Sequence, residues 1–126
     1  PLGKGLNDDP RCQYVHGDFF ELSLGDGYQS EATTHHAILL DIDHSPAHLL
    51  TRDNARFYST EGLGKFAGRM KPGGIFGLWS DDPPEASFLE SLNEVFAKVE
   101  SHIVPFHNPI QDEEFESTVY VATKAR

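Results

Sequence analysis

Residues 36–50, HAILLDIDHSPAHLL, constrain the fold of this chain more than any other stretch. Residues 36–40 lead into Asp41 on apolar and branched side chains without alternation, the pattern of a strand covered on both faces of a parallel sheet. Two carboxylates, Asp41 and Asp43, follow at once. His44-Ser45-Pro46 then ends the ladder, because Pro46 has no N–H to give and biases Ser45 away from helix. The acids therefore fall at a strand's carboxyl end, the edge where ligands bind in open α/β sheets. They read as functional groups or, more plainly, as caps of the next element.

The rest of the chain arranges itself around that strand. Residues 1–10 read as a polar, Gly-rich loop, residues 11–16 as a short strand, and residues 19–24 as a helical turn broken by Gly25-Asp26-Gly27. Residues 29–34 form a surface connection. After Asp43, residues 47–50 suggest a helical turn and residues 51–56 a polar loop. Ser59 is a good N-cap for a helix over residues 60–70, whose stripe of Leu63, Phe66, Ala67 and Met70 is core. Lys71-Pro72-Gly73-Gly74 stops that helix and starts an apolar strand over residues 75–79. Asp81-Asp82-Pro83-Pro84 opens a helix over residues 85–98, buried through Phe88, Leu89, Leu92, Val95 and Phe96. Strands follow at residues 99–105 and 117–123, separated by an acidic loop and joined without a helix, so they pair antiparallel. The alternation of strands and helices closing on a hairpin predicts an α/β fold in a single domain, residues 1–126.

Charge narrows the partners. Twenty acids against ten Lys and Arg leave a formal charge of −10, which opposes binding to nucleic acid or to an anionic membrane and favours a cationic ligand. Cys12 is the only cysteine, so no intramolecular disulfide forms; it reads as a small buried hydrophobe in a reducing compartment, the cytoplasm. No run reaches the length of a membrane span. A chain that opens on Pro1 is expected to be processed or cut from something longer.

Three segments together resemble the polyamine aminopropyltransferases, specifically spermidine synthase-like proteins on the S-adenosylmethionine-dependent methyltransferase fold. They are Val15-His16-Gly17-Asp18-Phe19-Phe20, the run from Ile38 through Asp41-Ile42-Asp43-His44-Ser45-Pro46-Ala47, and Phe57-Tyr58-Ser59-Thr60-Glu61-Gly62-Leu63 with the later Pro-Gly-Gly and Leu78-Trp79-Ser80. The resemblance implies a Rossmann-like, methyltransferase-type sheet that lacks its first strands and their Gly-rich loop and ends in an antiparallel hairpin. It implies decarboxylated S-adenosylmethionine (or S-adenosylmethionine) as co-substrate, a polyamine or other small cationic amine as acceptor, and no metal. By the same likeness Asp18 and the backbone of Phe19 would hold the adenine, with Pro46 and Ala47 lining its pocket. Asp41 would be the general base, Asp43 would hold the amine, and Tyr58 and Trp79 would wall its channel. Physically this is coherent, since an alkylamine is protonated at neutral pH and must lose a proton to a carboxylate before its nitrogen attacks. The truncated sheet implies a homo-oligomer, or a partner that supplies the missing strands.

Other readings compete. A methyltransferase on the same scaffold would explain the likeness apart from the Asp pair, and a non-catalytic fragment acting as an interaction module would explain the absent Gly-rich loop. His35, His36, His44 and His48 invite a metal site, yet adjacent histidines on a strand point to opposite faces, and surface roles fit them better. His44 remains a candidate proton relay beside the acids. Ser45 and Ser80 lie in no nucleophile elbow.

Overall fold

The computed structural model describes residues 3, 5, 6, 8–28 and 33–126. Its first regular element exists because Asp18 accepts the N–H groups of Phe20 (2.8 Å) and Glu21 (3.1 Å), two donors that a helix start leaves open. Helix α1, Phe19–Leu24, follows and ends at Gly25. Strand β1 is His35–Leu40. A 3₁₀ turn at Arg52–Asn54 runs into α2, Ala55–Tyr58, and then α3, Thr60–Ala67. The Ser59 hydroxyl caps α3 by accepting the Gly62 N–H at 3.1 Å. Gly62 lies so close beneath the Arg56 and Phe57 carbonyls that no Cβ fits there, which lets α3 turn directly off α2. Strand β2, Met70–Ser80, helix α4, Ala86–Val95, and strands β3, Lys98–Asn108, and β4, Glu113–Thr123, complete the order.

The four strands form one open mixed sheet in the order β1-β2-β4-β3. β1 and β2 are parallel, while β4 runs antiparallel to both β2 and β3. Phe76 and Leu78 point to the covered face, where Phe57, Leu63, Phe66, Leu92 and Tyr120 are almost wholly buried. The core is largely aromatic. Phe66 meets Phe57 at 5.0 Å and Phe76 at 4.8 Å between ring centroids, and Phe88 meets Tyr120 at 5.0 Å, all edge-on. Such T-shaped contacts add to the area buried. The opposite face is different: Leu39 is 79% exposed, and Ile75 and Trp79 are exposed beside it.

That bare face corrects the expectation of strands covered on both sides. β1 and β2 are apolar in both directions, but among the described residues only one side carries helices. Further differences are local. Residues 11–16 are irregular rather than a strand, and Cys12 sits half-buried in a turn with its N–H on the Asp9 carbonyl. Residues 47–50 form no helical turn, because Ser45 and His48 exchange backbone hydrogen bonds in a tight turn instead. Residues 51–56, expected as loop, hold the 3₁₀ turn and the start of α2. The helix expected to reach Met70 ends at Ala67, and the one expected to reach Lys98 ends at Val95. Lys71-Pro72-Gly73-Gly74 lies within β2 rather than before it. Met70 pairs with His35 and Ile75 with Ala37, so residues 71–74 bulge opposite His36, with Gly73 at φ +73°. The expected connection at residues 29–34 falls mostly outside the described residues. The C-terminal hairpin is antiparallel as expected, with its strands longer at the turn end than the sequence pattern suggested.

Phe66 touches α2, β2 and α1 through ring contacts, so Phe66→Ala should cost about 3–5 kcal/mol, read as a lowered denaturant midpoint with unchanged slope. Leu39→Ala, at an exposed position, should change stability by less than about 0.5 kcal/mol.

Candidate functional site

Beyond Leu40 the two acids part company. Asp43 turns inward and is 4% exposed. Its Oδ1 accepts the Leu50 N–H at 2.7 Å and Asn54 Nδ2 at 2.9 Å, while its Oδ2 accepts the Tyr58 hydroxyl at 2.8 Å and Asn54 Nδ2 again at 3.2 Å. A carboxylate tolerates burial only when its lone pairs are met in this way. Burial, then the hydrogen bond to Asp43 and the charge of Asp43, push the Tyr58 phenol well above its ordinary range. Tyr58 therefore remains a donor throughout the physiological range.

Asp41 stays outside. It is exposed, has no hydrogen-bond partner among the described residues, and lines a groove of about 310 Å³ with Leu39, Gly77, Trp79 and Val119. The groove lies on the bare face of the sheet. Trp79 leans over it, its indole N–H directed to Asp81 Oδ1 at 3.4 Å. A free carboxylate beside an aromatic face and apolar walls is suited to an organic cation.

The loops after β1 and β2 are tied together by two His–Asp pairs. His48 Nδ1 lies 2.5 Å from Asp82 Oδ2, and His44 Nδ1 lies 3.5 Å from Asp81 Oδ2. The Asp81 N–H also reaches the His44 carbonyl at 2.8 Å. The Ser45 hydroxyl and the His48 ring hold the Asp82 carboxyl below the usual carboxylate range. Ser45, His48 and Asp82 thus assemble the residue types of a hydrolytic triad, but the geometry is wrong for one. Ser45 Oγ, at 3.4 Å, and Asp82 both address Nδ1, so the ring cannot pass a proton from one of its nitrogens to the other. Ser45 Oγ instead accepts the N–H groups of Ala47 (3.2 Å) and His48 (3.0 Å) and shapes the turn. His44, the candidate relay, is paired with Asp81 rather than with Asp41 or Asp43.

The structure places the remaining predicted residues in separate settings. Asp18 is the cap of α1, and the Phe19 ring packs against Phe20, Tyr28, Phe57 and Phe66. Pro46 is half-buried and meets Tyr58 in a small pocket with Glu85, whereas Ala47 is exposed. Asp41 and Trp79 come together on the bare face, and Asp43, Tyr58 and Pro46 on the helical face. Among the described residues no group of three or more His, Cys, Asp or Glu side chains is placed to hold a metal ion. The acidic residues near the hairpin turn are solvated, with His107 between Asp112 and Glu114. No helix among the described residues is long and apolar enough to cross a membrane. Sequence reasoning passed over Glu85, which reads there only as a helix start; its signal is a glutamate at a position where Ser, Thr, Asp or Asn is the better cap.

No protein-family model matches the chain, and no curated protein is significantly similar to it.

Removing the Tyr58 hydroxyl takes one donor from a buried carboxylate, so Tyr58→Phe should cost about 1–3 kcal/mol in denaturant unfolding, while Asp41→Asn stays within about 0.5 kcal/mol of the parent. Asp82 has a depressed pKa in the folded chain, so its stabilising share is present above the ordinary value of 3.8 and is lost as pH falls below it. An acid titration of stability should therefore be flatter below that pH in Asp82→Asn than in the parent.

Proposed function

We propose that this chain serves aminopropyl transfer, as a spermidine synthase-like transferase acting with decarboxylated S-adenosylmethionine on a small amine. The observation that carries the reading is Asp41, a carboxylate without a side-chain partner among the described residues, at the carboxyl end of β1 in an apolar groove lined by Trp79. In this role Asp41 binds the ammonium form of the acceptor and takes one proton from it. The freed nitrogen lone pair then attacks the carbon attached to the sulfonium sulfur, the carbon–sulfur bond breaks toward sulfur, and methylthioadenosine leaves. Trp79 supplies an aromatic wall for the cationic chain. Asp43, with its oxygens engaged by Leu50, Asn54 and Tyr58, acts by holding the loop that carries Pro46 and Ala47. Asp18 and Phe19 take the adenine.

The sheet supports the same reading. A parallel pair followed by an antiparallel hairpin, with the last strand set between β2 and β3, is the layout expected of the carboxyl-terminal part of a methyltransferase-type sheet. The outer edge of β1 has no strand partner among the described residues, and the neighbouring face of the sheet is bare. Strands added at that edge, from a second copy or another polypeptide, complete the nucleotide half of the site. Sedimentation equilibrium should accordingly show self-association of the purified chain.

Calorimetric titration of the associated protein with decarboxylated S-adenosylmethionine and with methylthioadenosine tests the function. Binding in the micromolar range is expected, and Asp18→Ser, which keeps a capping oxygen but shortens its reach, should abolish it. Absence of binding at millimolar nucleoside would remove aminopropyl transfer from this chain.

A further inference from the structure

The two edges of the sheet are built differently. β3 forms one of them and carries Lys98, Glu100 and Pro105, charged residues and a proline of the kind that keep a free edge from pairing. β1 forms the other, and its sequence, HHAILL, includes no Lys, Arg, Asp, Glu, Pro or Gly. The outer side of β1 has no strand partner among the described residues. Beside it runs a groove of about 380 Å³, lined by Val15, Phe19 and Leu22 together with Ala37, Ile38 and Leu39. Among the described residues that line it there is no Asp or Glu. In a chain of charge −10, this is a surface on which two copies meet without setting carboxylate against carboxylate.

The geometry of such a meeting is restricted. Two copies of one strand sit side by side in a continuous antiparallel sheet only about a two-fold axis perpendicular to that sheet. Residues directly opposite each other then share a face, and because faces alternate along a strand their numbers add to an even value. Two registers of that kind pair five residues of β1. Centred on Ala37, the pairing sets Asp41 level with Thr33 of the partner. Centred on Ile38, it sets Asp41 level with His35 of the partner, so that each end of the paired segment closes on a histidine and a carboxylate. The second register is the complementary one.

We propose that two copies of this chain join by antiparallel pairing of β1 with β1, about a two-fold axis at Ile38, so that their sheets become one. Ala37 lies level with Leu39 of the partner on the bare face, and Ile38 meets its own counterpart beside the groove. The pairing deepens the proposed function and rests on it for its consequence: the open edge is committed to a second copy, and His35 of the partner stands level with Asp41, the proposed base.

The test is sedimentation equilibrium of the full chain together with oxidative cross-linking, both without nucleoside or amine. The parent should sediment at twice the chain mass at micromolar concentration. Antiparallel Cα partners lie about 4.5–5.5 Å apart, within the span of a disulfide, so Ile38→Cys in a Cys12→Ser background should give a covalent dimer under mild oxidant. Ile103→Cys in the same background, exposed on the β3 edge, should stay monomeric on oxidation. Leu39→Lys places an ammonium at an exposed position of the paired edge. Although it lowers the net negative charge, it should raise the dimer dissociation constant at least about tenfold, with the circular dichroism unchanged. It also decides the matter if Ile38→Cys fails to fold. A parent that stays monomeric at high micromolar concentration, cross-linking through Ile103→Cys instead, or undiminished association of Leu39→Lys overturns the proposal. A cross-linked dimer that takes up no nucleoside removes aminopropyl transfer and upholds the pairing.

Discussion

The burial of Asp43 is the constraint on which the loops beyond β1 depend. A carboxylate with four hydrogen bonds cannot move without losing several of them, and its donors come from three places along the chain: Leu50, Asn54 and Tyr58. Residues 41–58 contain little regular structure of their own, so this one side chain does the work that a longer helix would do elsewhere. It fixes the exit from β1, and it sets α2 against the core. Through Tyr58 it also fixes one wall of the pocket beneath α4.

A second constraint follows from the sheet. All of the large buried side chains of β2, β4 and the helices lie on one side, where aromatic rings interlock at centroid distances of about 5 Å. The other side presents Leu39, Ile75 and Trp79 to solvent, continuing into Phe106 of β3 at 6.5 Å from Trp79. A contiguous apolar face next to a strand edge that has no partner among the described residues makes further association favourable.

The two acids that follow β1 illustrate how burial divides roles between neighbours of identical chemistry. Asp41 faces out into solvent, and Asp43 faces in and gives its oxygens to donors of its own chain. The histidines show the same division. His44 and His48 pair with Asp81 and Asp82 and clasp the loops after β1 and β2, so His44, a candidate relay in the sequence, is held away from Asp41 and Asp43. Glu85 is the reverse case, a plain helix start in sequence whose Oε2 is buried without a partner among the described residues.

Much of the architecture was legible in the residues themselves. The apolar runs at β1 and β2, the Ser59 cap, the helical stripes of α3 and α4 and the helix-free link between the last strands all act through local geometry, which a sequence records directly. Other features were not, because they depend on distant partners. Residues 11–16 have a strand-like composition but no neighbouring strand to pair with among the described residues, and a strand without hydrogen bonds is not held. Residues 51–56 look like a polar loop, yet they hold the 3₁₀ turn and the start of α2, where Asp43 collects Asn54 and Tyr58 on one carboxylate. By itself, then, the sequence determined the α/β order, the hairpin and the acidic end of β1, since periodicity and capping are short-range. Only the tertiary structure decided which acid is buried, which face of the sheet is bare and which carboxylate oxygen lacks a donor, because burial and hydrogen-bond satisfaction are properties of the assembled chain.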